Sequence, residues 1–151
     1  MVKRTSHKAA GCAVARPLDA IGDGWSLLIV RDAFDGLRRF GEFQKSLGLA
    51  KNILSARLRN LVEHRILEIV QAADGGAHHE YQLTEKGQGL FPTLVALRQW
   101  GEDFFFEFDQ PQVRLIDLKK RQPLRRLEPR AQDGRRLSVQ DTVVERNDPS
   151  D

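Results

Sequence analysis

Seven cationic side chains fall between residues 38 and 65: Arg38, Arg39, Lys45, Lys51, Arg57, Arg59 and Arg65. Only Glu42 and Glu63 oppose them, a local net charge of +5, while the rest of residues 17–113 carries −9. A basic island in an acidic surround lets a protein meet a polyanion through one face. The residue types suit duplex nucleic acid: Asn bonds adenine in bidentate fashion, and Arg and Lys pair with guanine or with phosphate. A solvated helix face can carry the same charges, so the elements that hold them decide the reading.

Three further residues have chemistry to offer. Cys12, the only cysteine, lies just before the first expected helix and near Lys8 and Arg16, where helix amides and cations lower a thiol pKa. A poised thiolate there can be oxidised or alkylated and serve as a redox sensor; the alternative is a small buried hydrophobe packing the helix start. His78 and His79 are adjacent, with Asp74 and Glu80 as the nearest carboxylates. They suit contact with the minor groove or its phosphates better than a metal site, for which the ligand spacing is poor. No Ser sits in a nucleophile elbow, and no triad or paired-carboxylate arrangement stands out. The glycines at 22–24 and 87–89 do not extend to a phosphate-cradling pattern. The sequence supports neither catalysis nor a metal or cofactor.

The elements that must position the island follow from periodicity. Residues 14–21 and 25–34 (WSLLIVRDAF) read as two helices. Phe40, Phe43 and Leu47 share a face of a third, which Gly48 ends. The segment 51–64 (KNILSARLRNLVEH) makes a fourth, with Leu54, Leu58 and Leu61 buried. Two helices joined by a short Gly-containing turn form a helix-turn-helix. Its second helix turns Lys51, Asn52, Ser55, Ala56 and Arg59 outward to approach base edges, with Arg57 on the flank as a phosphate or intradomain contact. Arg38 and Arg39, beside a scrap of edge strand, are placed to grip the DNA backbone.

Alternation over 66–72, a turn at 74–77 and a return over 80–83 make a hairpin, the wing. Thr84 then caps a long helix expected over 85–106, irregular near Pro92. Its apolar positions, among them Leu90, Leu94, Leu97, Trp100, Phe104 and Phe105, exceed what a small domain can cover, so a second copy of the chain is the simplest partner. From Pro111 the composition changes. Nine Lys or Arg face three acids over residues 114–136, and short strands are expected near 115–118 and 124–127.

The expected architecture is therefore α+β and mostly helical: a winged helix-turn-helix with a long C-terminal dimerisation helix and a small β-rich C-terminal appendage. The boundaries are a flexible arm over 1–11, the winged domain over 12–109 and the basic appendage over 110–151. The chain has 151 residues, 40% hydrophobic and 30% charged, in the range of a one-domain soluble protein. No apolar run approaches the roughly 20 residues of a spanning helix, and no secretory signal pattern opens the chain. The expected location is cytoplasmic.

Three segments together resemble the HxlR-type regulators, a winged-helix group related to the MarR regulators: CAVARPLDAIGDGWSLLIVRDAF, GLRRFGEFQKSLGLAKNILSARLRNLVEHRILE and EYQLTEKGQGLFPTLVALRQWGE. The resemblance implies a homodimer on a pseudo-palindromic operator in double-stranded DNA, regulating transcription, commonly as a repressor. It also aligns Cys12 with the thiol that several members use as a sensor, while others answer to small-molecule effectors. The alternative is a winged-helix adaptor that docks on protein; a local +5 within an acidic remainder argues against it. Two departures from the family pattern stand out. Ala50 replaces the Ser or Thr that caps the recognition helix, and Arg65 stands where Gly is usual, so either Arg65 accepts the helix-ending geometry or the helix ends differently.

Overall fold

The computed structural model describes residues 5–146. Residues 1–4 of the expected arm and 147–151 of the expected appendage lie outside the described residues. The described residues form two compact units, which divide between Leu94 and Val95.

The first unit is built in the order α1 (Ala15–Ile21), α2 (Ser26–Phe34), α3 (Phe40–Leu47), α4 (Lys51–Glu63), β1 (Leu67–Gln71), β2 (His79–Leu83) and α5 (Glu85–Gln88). A further helix, α6 (Phe91–Phe104), begins here and runs into the second unit. Ile29 and Val30 of α2, Phe43 of α3 and Leu54, Leu58 and Leu61 of α4 are the centre of the core, none more than 1% exposed. Each such side chain contributes roughly 1.5–3 kcal/mol by leaving water. The leucines of α4 are the stripe that their spacing predicts.

β1 and β2 pair antiparallel, Leu67 opposite Leu83, Ile69 opposite Tyr81 and Gln71 opposite His79. The expected scrap of strand at Arg38 makes one bond to this ribbon, its carbonyl accepting the Tyr81 amide at 2.7 Å. The helix-turn-helix corner is made by Gly48, which ends α3 in the left-handed region at φ 65°. Arg65 takes the same region at φ 56°, so the side chain in the family's glycine position accepts the geometry unchanged. A non-glycine residue there costs roughly 1–2 kcal/mol.

The helix expected over 85–106 is two helices. Thr84 caps the first as expected, its hydroxyl accepting the Gly87 amide at 3.0 Å. The break falls at Gly89–Leu90, and Pro92 opens α6 in its first turn, where the missing N–H removes no helical bond. Gly87 is there for close approach. A Cβ on it would stand 2.1 Å from the Ile66 carbonyl oxygen, so a side chain at 87 would push α5 off the turn that leads into β1.

The second unit corrects the expectation of a β-rich appendage. Among the described residues beyond α6 there is no strand, only isolated bridges at Ile116–Pro123 and Arg130–Arg136 and a 3-10 turn over Val139–Asp141. Pro123 and Pro129 lack the N–H that a longer ladder would need on each side. The unit is fastened instead by Gln99 of α6. This buried side chain donates to the Arg125 carbonyl at 3.1 Å and accepts from the Leu127 amide at 2.8 Å.

Candidate nucleic-acid interface

The exposed side of α4 is the centre of the site. With about 100° per residue, Asn52, Ser55, Ala56 and Arg59 share an arc of about 100°, opposite the arc of Leu54, Leu58 and Leu61. Lys51 stands on the flank of that arc in the first turn. All five outward residues are exposed, whereas the three leucines are buried. Among the described residues the Lys51 ammonium and the Arg59 guanidinium make no ion pair, so both charges face solvent.

Two anchors hold that face in position. Asn60 donates from its side-chain amide to the Ala20 carbonyl of α1 at 2.9 Å. Arg57 reaches Asp23 at 3.4 Å, with its side chain only 30% exposed. Asp23 in turn accepts the amides of Trp25 and Ser26 at 2.8 and 2.9 Å and the Ser26 hydroxyl. Burial alone would raise the Asp23 carboxyl pKa. Hydrogen bonds from Ser26 and Trp25, together with the Arg57 charge, outweigh burial and hold it below the ordinary value. Of the two roles open to Arg57, the structure shows the intradomain contact.

The helix α3 is fixed from both ends. The Glu42 carboxylate accepts the Arg38 and Arg39 amides at 2.7 and 2.9 Å, and these bonds lower its pKa. Ser46 donates to Asp32 at 2.6 Å. Asp32 is 3% exposed on α2 and also accepts from the Arg31 guanidinium. Asp23 and Asp32 went unnoticed in the sequence because an isolated Asp carries no periodic signal; only the fold shows what each one caps or pairs.

The wing is clamped to the helix-turn-helix by Arg39. Its guanidinium bonds Asp74 at 2.8 Å and Glu80 at 3.3 Å. These bonds raise the Arg39 pKa, while the Gly76 amide and Arg39 lower that of Asp74. Arg38 is the more exposed of the pair and approaches Glu80 only at 4.0 Å. His78 and His79 are both exposed at the start of β2. Among the described residues no three His, Cys, Asp or Glu side chains are grouped to hold a metal ion.

Cys12 is exposed, which rules out the buried-hydrophobe alternative. The amides of Ala15 and Val14 at the start of α1 bond its sulfur and lower its pKa below the ordinary thiol value. In the described part of the N-terminal arm, the Ser6 hydroxyl and the His7 amide donate to Asp19 of α1 at 3.1 and 2.8 Å. Of the apolar residues expected to meet a partner, Leu90 and Leu94 pack against the core of their own unit. Leu97, Trp100, Phe104 and Phe105 are 45–71% exposed, with Trp100 in ring contact with both phenylalanines.

A helix-turn-helix with a two-stranded wing and an outward polar face on its second helix is the architecture of winged-helix proteins. The chain belongs to the HxlR-like helix-turn-helix family, whose match covers residues 20–109. It is 41% identical over 114 residues to the uncharacterized HTH-type transcriptional regulator Rv3095 of Mycobacterium tuberculosis, covering 76% of this chain and 72% of that protein. It is similar to the crystal structure of PA1607, at 65% identity and TM-score 0.91, over 95% of this chain and all of that one. It also resembles the redox regulator HypR in its reduced form, at 30% identity and TM-score 0.54, over 61% of this chain and 92% of that one. Among the described residues no helix is long and apolar enough to cross a membrane.

Proposed function

We propose that this chain is a sequence-specific DNA-binding transcriptional regulator, not an enzyme, that acts as a homodimer on a pseudo-palindromic promoter operator and represses by occupying it. The observation that carries the reading is the outer face of α4, where Asn52, Ser55 and Arg59 stand exposed away from the buried leucines, with Lys51 exposed on the flank of that face. Lys51 and Arg59 bring charges that nothing in the described chain neutralises. A helix of this kind fits the major groove, which is about 12 Å wide. Asn52 and Arg59 then reach base edges, while Arg38 and the wing histidines approach phosphates. Arg39 and Arg57 hold the wing and α4 in place through their carboxylate partners, and either can exchange its partner for a phosphate at the margin of the complex.

Two copies must present their α4 helices about 34 Å apart, one turn of the duplex. Leu97, Trp100, Phe104 and Phe105 are the side chains that a partner would cover, since a protein of this size rarely leaves such an apolar patch in water. Leu90 and Leu94, partly buried against their own core, have less surface to offer a partner. The signal input that the site chemistry supports is Cys12, an exposed thiol with a lowered pKa; the redox-regulator name of one similar protein points the same way. Such a regulator works in the cytoplasm, where bacterial promoters lie.

The test is fluorescence anisotropy on DNA from the chain's own promoter and on scrambled DNA, across a salt series and after alkylation of Cys12. The expected result is tighter binding to the promoter, weakening steeply with salt as phosphate counterions are released, and altered affinity after alkylation. No binding to any DNA at low salt would sink the reading and favour a protein-docking adaptor. Binding that ignores alkylation would remove Cys12 as the input and leave the rest standing.

A further inference from the structure

We propose that a half-open cleft on the second unit binds a small organic anion, a monocarboxylate on a compact apolar body. The cleft is about 290 Å3, at the small end of the ~300–1,000 Å3 usual for ligand pockets. One wall is α6 and the others are the chain around Gln112–Leu115 and Pro123–Arg126, all within residues 95–151.

The lining specifies the ligand class. Val95, Leu115, Pro123 and Leu124 supply apolar surface, and Arg98, Arg114 and Arg126 supply cations against the single anion Glu102, a net of +2. A cationic ligand is disfavoured by that balance. Inorganic phosphate would leave the apolar surface uncovered, whereas a carboxylate on a ring or short alkyl chain uses both halves of the lining. Guanidinium groups match a carboxylate in bidentate geometry.

The three arginines differ in what they have left to give. Arg126 is paired with Asp103. Arg98 donates one N–H to the Val113 carbonyl at 3.1 Å and keeps its other donors. The Arg114 guanidinium makes no hydrogen bond or ion pair among the described residues. It is therefore the cation whose pairing a ligand would complete. The wall does not need a ligand to stand, because Gln99 bonds Arg125 and Leu127 across it. The backbone of that wall is thus held in place before a ligand arrives, which lowers the cost of binding.

The position of the cleft gives it a way to matter. At about 100° per residue, Val95, Arg98, Gln99 and Glu102 share one side of α6. Leu97, Trp100 and Phe104 occupy the opposite side. A ligand seated against the first face braces the helix that presents the exposed aromatic patch on the second. Use as an effector site rests on the regulator reading above; binding itself does not.

The test is isothermal titration of the full chain with benzoate, benzyl alcohol and benzylamine, which share a body and differ in charge. The expected result is one saturable benzoate site per chain, at least several-fold weaker binding of the alcohol and no binding of the amine. Arg114→Gln should weaken benzoate about tenfold or more, the usual loss of a charged hydrogen-bond partner. Leu124→Trp fills the cleft, keeps every charge and should abolish binding, with circular dichroism unchanged in both variants. Absence of benzoate binding at millimolar concentration, equal binding of all three probes, or indifference to both variants would each overturn the site. Promoter binding measured on the same samples separates the two readings, since a chain that binds benzoate but no DNA keeps this site and loses the regulator.

Discussion

At the scale of single residues, charge alone does not assign a role; the partner does. Arg57, Arg59 and Arg39 looked alike as members of one basic island, yet Arg57 is committed to Asp23 and Arg39 to Asp74 and Glu80, while Arg59 faces water. Arg59→Ala is therefore expected to weaken promoter binding by about 1–3 kcal/mol and to relax preference at one base position. Lys51→Ala should weaken promoter and scrambled DNA more evenly and lower the salt slope by about one if it holds a phosphate. Competition binding against single-base operator variants checks both.

Asp23 belongs to a different class, a stability residue beneath the DNA face. Its replacement by Ala removes the acceptor for two amides at the start of α2 and is expected to cost about 0.5–2 kcal/mol in urea unfolding, the range of a lost helix cap. Because folding lowers its pKa, the unfolded chain binds its proton more tightly than the folded one. The stability it contributes is complete above the unfolded carboxyl value, about 3.9, and is lost as pH falls through the lower folded value. The acid limb of the unfolding curve should therefore be shallower in Asp23→Ala; an unchanged limb would assign the acid sensitivity to other carboxylates.

At the scale of elements, the recognition helix has two ends that depart from the usual chemistry, and each predicts a stabilising substitution. Ala50 precedes α4 with extended backbone and no side-chain bond to its amides. Ala50→Ser supplies the missing acceptor and should stabilise the chain by about 0.5–2 kcal/mol. Arg65 follows α4 at φ 56°, and Arg65→Gly should gain about 1 kcal/mol as the steric cost of a Cβ there disappears. Shifts of the urea midpoint at constant slope measure both. A loss of stability in Arg65→Gly would mean that the freedom glycine gives the unfolded chain outweighs the strain it relieves.

At the scale of the whole molecule, the prediction concerns assembly. Phe104 is 71% exposed and in ring contact with Trp100. Phe104→Glu places a charge in the proposed seam without disturbing the core of the first unit. Sedimentation should show the proposed dimer shifted toward monomer, with promoter affinity falling in parallel, because one recognition helix engages only half of a two-fold site. A variant that stays dimeric would place the seam elsewhere. Retained affinity in a monomer would remove the need for a two-fold operator.

The helix-turn-helix, the wing, the buried leucines of α4 and the outward direction of its polar residues can all be read from the chain alone. Those features rest on local periodicity and turn chemistry, and the residues that make them are neighbours along the chain. That both ends of α4 are unusual was legible for the same reason, since Ala50 cannot cap and Arg65 is not Gly; that Arg65 itself takes the left-handed turn came from the structure. Which cations are spent depends on folding, because Arg39 meets Asp74 and Arg57 meets Asp23 across 35 and 34 positions of sequence. Folding also packed Leu90 and Leu94 against the core of their own unit, as helical spacing shows that a residue is apolar but not which surface covers it. In the second unit, strand-like composition failed because prolines deny the ladder its donors. Gln99, unremarkable in the sequence, holds the segment that lines the cleft, since bonds between residues 26 and 28 positions apart leave no periodic trace.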